Sequence, residues 1–305
     1  MIIDMHCDTI LVAYRNHKTI EIQKFLEGNI KIQFFALFPG SIHYPNWYLH
    51  RVLDMLDFCW EQFEAQRTLI EVITSPADLS NCIEGKKIGA LLAIEGGEVL
   101  EGNLRILRVL YRLGIRSLGL TWNHRNEIAD GIAESQTGGG LTKFGRQVVK
   151  EMNRLGMIID VSHLAEKGFW DVLELSDHPV IASHSNCRTI WNHPRNLSDE
   201  QIKGLAENKG IVGINFVPDF LGPAGAGLND LLKHIDHICT LVGDDFLGFG
   251  SDFDGTDFFI PEIQDARHFP KIIETLQKWG YPEGSIRKIC RENCLRVLKE
   301  VLNKT

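Results

Sequence analysis

The stretch Ile2-Ile3-Asp4-Met5-His6-Cys7-Asp8, almost at the first residue of the chain, is typical of a short apolar strand that ends in polar residues. Side chains alternate along a strand, so His6 and Asp8 point to the same side. An imidazole and a carboxylate, which can both bind a metal ion, therefore converge on one point. Asp4 shares that side, so the motif offers either three ligands or two ligands and a supporting group.

Apolar runs of strand length recur along the rest of the chain, and most are followed by a helical pattern. Eight strands with intervening helices favour a (β/α)8 barrel, and an open doubly wound sheet is the alternative. The strands after the first are predicted at 31–38, 88–95, 117–121, 157–161, 180–183, 210–215 and 246–250. The helices are predicted at 48–65, 101–113, 141–155, 165–175, 198–208, 228–242, 266–279 and 285–302.

The positions of the polar residues decide between these two architectures. In a barrel the carboxyl ends of all strands meet at one mouth, whereas an open sheet spreads them along a line. Polar residues stand at or just past the predicted strand ends, namely His6, Asp8, Glu95, Thr121, His163, His184, Asn215 and Asp252. We therefore expect one (β/α)8 TIM-barrel domain over residues 1–305, with a metal site at the C-terminal ends of its strands.

Composition excludes several kinds of partner. The net charge of -8 and the pI near 5.8 give no basic surface for nucleic acid or anionic lipid. No apolar run approaches the roughly 18 residues of a membrane span, and no secretory signal pattern precedes Ile2. The 7 cysteines show no framework spacing and fit a reducing compartment. We expect a cytoplasmic protein.

Five side chains at the strand ends form a ligand set for metal ions. Three imidazoles and two carboxylates suit zinc or a similar divalent ion rather than calcium or magnesium. Five ligands exceed what one catalytic zinc takes, so the set predicts two zinc ions bridged by Glu95 and a hydroxide. The predicted ligands are His6, Asp8, Glu95, His163 and His184.

Individual residues of this set could have structural roles instead of binding metal. Glu95, which precedes two glycines, could instead cap a helix, and a lone strand-end histidine is more often a hydrogen-bonded core residue. Asp252 in Gly250-Ser-Asp-Phe-Asp-Gly255 ends the eighth strand and is the natural proton acceptor beside the bridge. Asp254 is the weaker candidate, because Asp-Gly is also ordinary turn chemistry.

Motifs spread over nearly the whole chain resemble the membrane (renal) dipeptidases, zinc peptidases of the amidohydrolase superfamily. They are Asp4-Met-His-Cys-Asp8, Glu95-Gly-Gly, Asp160-Val-Ser-His163, Ser183-His-Ser-Asn186, His193-Pro-Arg-Asn196 and Gly250-Ser-Asp-Phe-Asp-Gly255. The resemblance implies that one zinc is held by His6, Asp8 and Glu95. It implies that Glu95, His163 and His184 hold the second zinc. It also implies that Arg195 receives the C-terminal carboxylate of a dipeptide, a role that its planar fork suits.

The sequence departs from that family at two points. Trp122 stands where the family has a histidine that supports the tetrahedral intermediate, and Asn123 or His124 could substitute, or zinc could carry that charge alone. The signal and anchor segments of the secreted, lipid-anchored relatives are also missing, so no membrane association is expected. The loop from Ser41 to Tyr48 is predicted to shape a subsite through Tyr44 and Trp47.

The sequence thus predicts a metal-dependent dipeptidase that uses a bridging hydroxide, with small dipeptides as substrates and a homodimer as its assembly. Another amidohydrolase activity is the alternative, such as that of a lactonase, a phosphotriesterase or an N-acyl-amino-acid deacylase. Such an enzyme would share the metals but would not need Arg195. A metal-binding scaffold without catalysis is the third reading, which the intact ligand set and Asp252 disfavour.

Overall fold

The computed structural model describes residues 1–40 and 47–302. Its strands are β1 (Ile2–Cys7), β2 (Ile30–Leu37), β3 (Ile70–Val72), β4 (Ile88–Glu95), β5 (Ile115–Gly119), β6 (Ile158–Asp160), β7 (Ile181–Ala182), β8 (Ile211–Ile214) and β9 (Leu247–Phe249). They form one parallel sheet in the order β2-β1-β9-β8-β7-β6-β5-β4-β3, and β2 also pairs with β4.

The pairing of β2 with β4 closes the sheet into a barrel. It runs from Ile32 opposite Gly89 to Leu37 opposite Ile94, so six consecutive residue pairs seal the ring. The closed ring contains every strand except β3, which pairs beside the first residues of β4. The predicted (β/α)8 barrel is therefore confirmed, and the open-sheet alternative is wrong for this chain.

Helices follow the barrel strands, and several were predicted within a residue or two. They are α1 (Thr9–Arg15), α2 (Ile22–Glu27), α3 (Tyr48–Ala65), α4 (Pro76–Glu84), α5 (Leu104–Arg112), α6 (Lys143–Leu155), α7 (Glu166–Leu175), α8 (Asp199–Glu207), α9 (Pro218–Leu221), α10 (Leu228–Val242), α11 (Phe269–Lys278), α12 (Glu283–Arg287) and α13 (Asn293–Leu302). The chain between α12 and α13 winds as a π-helix over Lys288–Glu292. None of the described helices combines the length and the apolar character that crossing a bilayer requires.

Local sequence explains where two of these helices begin. Ser198 and Gln201 form the capping box that starts α8, in which each side chain accepts a hydrogen bond from the other residue's backbone N–H. The helix predicted over 101–113 begins only at Leu104, because Asn103 caps its first turn and a 3-10 turn occupies Gly97–Leu100. That turn leaves β4 at once, so Glu95 stays at the rim.

The barrel interior is packed with apolar side chains. Ile3 and Met5 of β1 belong to one buried cluster with Phe34 of β2 and Leu91 of β4, and Leu298 of α13 packs into the same cluster. A second and larger buried cluster lies between the strands and the outer helices. Because the interior is filled in this way, space for chemistry remains only at the mouth.

The predicted subsite loop lies mostly outside the described residues, and Tyr44 is among the residues not described. Trp47, at the N-terminus of α3, is 61% exposed and its ring lies 5.4 Å from that of His50. The role of both aromatic side chains in a subsite stays a prediction.

Candidate metal centre

The mouth of the barrel brings together the side chains that the sequence singled out. His6 and Asp8 leave the end of β1, and the Nε2 atom of His6 lies 3.5 Å from Asp8 Oδ2. The same nitrogen lies 3.7 Å from Glu95 Oε2 and 3.7 Å from Asp252 Oδ1. Residues from the two ends of the chain therefore meet within a few ångströms.

Glu95 divides this cluster into two halves. Its Oε2 atom faces His6, whereas its Oε1 atom lies 2.9 Å from His163 Nε2 and 3.6 Å from His184 Nε2. Each carboxylate oxygen thus faces a different set of imidazoles. This is the arrangement that a bridging carboxylate between two cations requires.

Hydrogen bonds fix which ring nitrogen of each histidine faces the cluster. Nδ1 of His163 lies 2.7 Å from Asn123 Oδ1, and Nδ1 of His184 lies 2.8 Å from Ser183 Oγ. The Ser183 hydroxyl donates in turn to Asp160. When both Nδ1 atoms carry the proton, both Nε2 atoms present a lone pair to the cluster.

The donor atoms of the cluster fit divalent cations. His6 Nε2 and Asp8 Oδ1 are fully buried and have no hydrogen-bond partner in the described part of the chain. The Nε2 atoms of His163 and His184 lie 2.9 Å apart, close to the roughly 3.3 Å that two imidazole nitrogens span on one tetrahedral zinc. A buried polar atom without a partner is costly, so a bound cation would remove that cost.

Burial and neighbouring charge set the protonation of the cluster. Burial raises the pKa of Glu95 well above its usual range and lowers the pKa values of His163 and His184 well below theirs. Burial also disfavours charge on His6, but the carboxylates of Glu95, Asp8 and Asp252 together outweigh burial and raise the pKa of His6 to about 10. Without a cation the cluster therefore holds protons, and a cation would displace them.

Asp252 sits on a strained backbone beside this cluster. Its φ of 62° lies in the left-handed region, and its N–H donates to the carbonyl of His6 at 3.1 Å. Asn215 Nδ2 donates to Asp252 Oδ2 at 2.8 Å, which leaves Oδ1 toward His6. Burial raises the pKa of this carboxyl.

Gly255 allows Asp8 and Asp252 to approach each other. A Cβ atom at Gly255 would lie 2.3 Å from Asp252 Oδ1 and 2.7 Å from Asp8 Oδ2, so any side chain would push the carboxylates away. Asp4, the third polar residue of β1, accepts hydrogen bonds from the N–H and the hydroxyl of Ser251. It therefore supports the site instead of facing it.

Arg195 lies at the inner wall of a cavity of about 560 Å³ that opens over the cluster. Arg195 is 7% exposed, and its Nη2 donates to the carbonyl of His184 at 3.2 Å. Its Nε has no partner among the described residues. Such an N–H group can donate to the carboxylate of a substrate. The carboxylates of Asp252, Asp254 and Glu95, which line the same cavity, cannot bind another carboxylate in this way.

The sequence alone assigns no role in the site to Asn215 or Gly255, since the first is one of several strand-end residues and the second belongs to a turn. It leaves Asn123 as one of two substitutes for the family's histidine. Asn123 lines the cavity over the cluster, whereas His124 lines a separate pocket, where it lies 3.9 Å from Glu134. Asp254 accepts a hydrogen bond from Thr9 at 2.6 Å.

Known proteins with similar sequences and structures share this architecture. A family model described as membrane dipeptidase (peptidase family M19) matches residues 1–305. A Klebsiella pneumoniae protein, described as an uncharacterized protein in the pqqA 5' region, is 36% identical over an alignment of 266 residues, and the match covers 81% of this chain and 97% of that protein.

Two solved structures superpose over nearly the full chain. Dipeptidase AC, a metallo peptidase of family M19, superposes with a TM-score of 0.93 at 30% identity, and the match covers 99% of this chain and 98% of the dipeptidase chain. A metallo peptidase from Rhodobacter sphaeroides superposes with a TM-score of 0.92 at 29% identity, and the match covers 98% of this chain and 99% of the peptidase chain. The latter holds a phosphinate mimic of the dipeptide L-Ala-D-Ala.

Proposed function

Because the chain belongs to the membrane dipeptidase family, peptidase family M19, a family of metal-dependent dipeptidases, we propose that it hydrolyses dipeptides at a binuclear zinc site. One observation carries the proposal. The two oxygens of Glu95 face different imidazoles, His6 on one side and His163 with His184 on the other. A single tetrahedral ion would leave part of this donor set unused.

The two ions would be held by different residues that share Glu95. His6, Asp8 and Glu95 would hold the first ion, and Glu95, His163 and His184 would hold the second. When bound, the ions would polarise the substrate carbonyl and lower the pKa of a bridging water from about 15.7 toward 7, which yields a hydroxide nucleophile. The Ser183 and Asn123 side chains keep His184 and His163 in the tautomer that coordination needs.

Asp252 is the proposed proton carrier. Its Oδ2 is held by Asn215, and its Oδ1 lies 3.7 Å from His6 Nε2, beside the position of the nucleophile. Oδ1 would accept the remaining proton of the attacking hydroxide as the new C–O bond forms. The same proton would pass to the amide nitrogen as the C–N bond breaks, so that the products are a neutral amine and a carboxylate.

Arg195 is the proposed anchor for the C-terminal carboxylate of the substrate. Its buried guanidinium faces a cavity whose other ionised groups are mostly carboxylates. Pairing with a substrate carboxylate would fix the scissile bond at a set distance from the metal centre. Dipeptides with a free C-terminus are therefore the proposed substrate class.

A substrate panel tests this proposal against the alternatives. Purified protein would be assayed with dipeptides, lactones, phosphotriesters and N-acyl amino acids, before and after chelation and after zinc is added back. We expect hydrolysis of dipeptides alone, loss of activity with chelator, and recovery at two zinc ions per chain by elemental analysis. Turnover of a lactone or a phosphotriester without dipeptide hydrolysis would overturn the proposal, and recovery at one ion per chain would remove its binuclear part.

We also propose that residues 1–305 act as one catalytic domain in a reducing, cytoplasmic compartment. Support for one domain is the single sheet that contains strands from residue 2 to residue 249. Support for the compartment is that all seven cysteines are free thiols, six of them buried. The homodimer stays a prediction.

A further inference from the structure

The geometry points to Asn123 as a catalytic hydrogen-bond donor: we propose that its side-chain NH2 donates to the substrate carbonyl oxygen as that oxygen becomes negatively charged. The inference rests on the proposed peptide hydrolysis and decides between the alternatives that the sequence leaves open, which are Asn123, His124 and zinc alone. Attack on a peptide carbonyl places a full negative charge on its oxygen. A preorganised donor at that position stabilises the transition state more than the substrate.

The orientation of the Asn123 amide follows from its hydrogen bond to His163. Nδ1 of His163 lies 2.7 Å from Asn123 Oδ1. A neutral imidazole that offers its Nε2 lone pair to a cation carries its proton on Nδ1, and this N–H can be received only by the amide oxygen. The NH2 group of Asn123 must therefore point away from His163.

The freed NH2 group has nowhere to donate within the described chain. Residues 1–40 and 47–302 provide no acceptor for Asn123 Nδ2, whereas Asn126, Asn186 and Asn196 each use Nδ2 in a hydrogen bond to a backbone carbonyl. Asn123 is half-buried and lines the same cavity as Glu95, His163 and Arg195. The one hydrogen-bonding group that this side chain leaves unused is thus available to a substrate in that cavity.

The backbone holds Asn123 and His163 in a fixed relation. Within the short segment 131–133, the N–H of Ala133 donates to the carbonyl of Asn123 at 2.8 Å and the N–H of Ile132 donates to the carbonyl of His163 at 2.8 Å. Gly131 makes this approach feasible, since a Cβ there would lie 2.5 Å from the carbonyl of Asn123. The side chain that carries the donor is thus held beside His163 before substrate binds, as a preorganised donor requires.

Two neighbouring side chains are rivals for this role. His124 lines a different pocket and lies beside Glu134, so it does not face the metal centre. Trp122 does line the cavity, with its ring 5.2 Å from that of Phe38 and 6.0 Å from that of His163. No hydrogen bond to a described residue fixes the direction of the indole N–H, in contrast to the Asn123 amide.

Three variants separate donation from simple support of His163. Asn123→Asp keeps an oxygen to accept from His163 but has no N–H, Asn123→Ala removes both functions without adding charge, and Trp122→Phe removes only the rival N–H. Each would be compared with wild type for zinc content, kcat and KM on the dipeptide that wild type cleaves fastest. The affinity of each for a phosphinate mimic of L-Ala-D-Ala would be measured with zinc in excess.

We expect Asn123→Asp to keep its zinc, to lose about 100-fold in kcat with little change in KM, and to bind the phosphinate more weakly by a similar factor. Asn123→Ala, once loaded with zinc, should show a comparable loss, and Trp122→Phe should stay within about threefold of wild type. Wild-type kcat in Asn123→Asp would show that the residue only orients His163 and would overturn the proposal, as would a 100-fold loss confined to Trp122→Phe. Wild-type protein that cleaves no dipeptide would instead refute the proposed function.

Discussion

Asp4 accepts two hydrogen bonds from Ser251, one from its hydroxyl at 2.6 Å and one from its backbone N–H at 2.7 Å. These two bonds tie the strand that carries His6 to the loop that carries Asp252. Both partners are almost completely buried, and burial raises the pKa of Asp4 to about 6. The distance between the proposed ligand and the proposed proton carrier therefore depends on a residue that faces neither.

Replacement of Asp4 by Asn should weaken this tie without removing a proposed zinc ligand. One of the two hydrogen bonds from Ser251 is lost, which should lower the free energy of unfolding by about 1–3 kcal/mol and kcat by about tenfold. Denaturant unfolding and steady-state kinetics of zinc-loaded protein would measure both. Ser251→Ala is the matched partner, and purely additive effects in the double variant would argue against the tie.

Replacement of Asp252 by Asn should leave zinc bound and lower kcat by about 100-fold or more, because the amide cannot accept the proton of the attacking hydroxide. The Asn215 hydrogen bond to this side chain can persist, so the fold should be unaffected. Asp257→Asn, an exposed carboxylate of the same cavity wall, is the control and should retain activity. Unchanged turnover in Asp252→Asn would remove this residue from the mechanism.

Replacement of Arg195 by Ala should raise KM by about 10- to 100-fold for dipeptides with a free C-terminal carboxylate, since a charge-assisted hydrogen bond contributes about 1.5–3 kcal/mol. C-terminally amidated dipeptides should lose much less. The measurement is KM for matched pairs of free and amidated substrates with both proteins. An equal loss for both members of a pair would contradict the carboxylate-anchoring role.

His234 makes stability depend on pH below neutrality. Burial lowers its pKa to about 4, and the ring accepts from the N–H of Cys187 and donates to the carbonyl of Leu221. The unfolded chain binds this proton near pH 6.5, so its contribution is fully present above about pH 6.5 and is lost as pH falls toward 4. The loss should reach about 3 kcal/mol at most, given 1.36 kcal/mol for each pKa unit.

Denaturant unfolding of the His234→Gln variant between pH 4 and 7.5 would test this dependence. Gln can keep both hydrogen bonds but cannot titrate, so its stability should fall less steeply between about pH 6.5 and 4 than that of wild type. His17→Gln, at an exposed position, should keep the wild-type slope. Parallel curves for wild type and His234→Gln would show that another group titrates.

The sequence was sufficient for the architecture because the barrel strands are apolar and end in polar residues. It predicted the barrel but not β3, the short strand that lies outside the closed ring. Helices α1, α2 and α9, of seven, six and four residues, were also missed because they are too short for a helical pattern, and the nine-residue α4 was missed as well. The limits of β4 were predicted without error, and the other strand limits shifted by at most two residues, as for β5, which begins at Ile115 instead of 117.

The site was predictable as a set of residues but not as a geometry. Polar residues at strand ends predict which side chains meet, and they predicted that His6, Glu95 and His184 would do so. The proposed role of Asn123 depends on the tautomer of His163, and that of Gly255 depends on the close approach of its backbone to two carboxylates. Residue type and spacing reveal neither feature. Their contributions can be recognised only when distances between distant parts of the chain are known.

The pairing of β1 with β9, at Asp4 opposite Phe249, sets the order of events during synthesis on the ribosome. The first strand emerges with two proposed ligands at once but cannot acquire its second neighbour until residues 247–249 have been made. A nascent chain therefore exposes His6 and Asp8 before the carboxylate of Asp252 exists to complete their surroundings. The proposed metal site can consequently form only after β9 has joined β1.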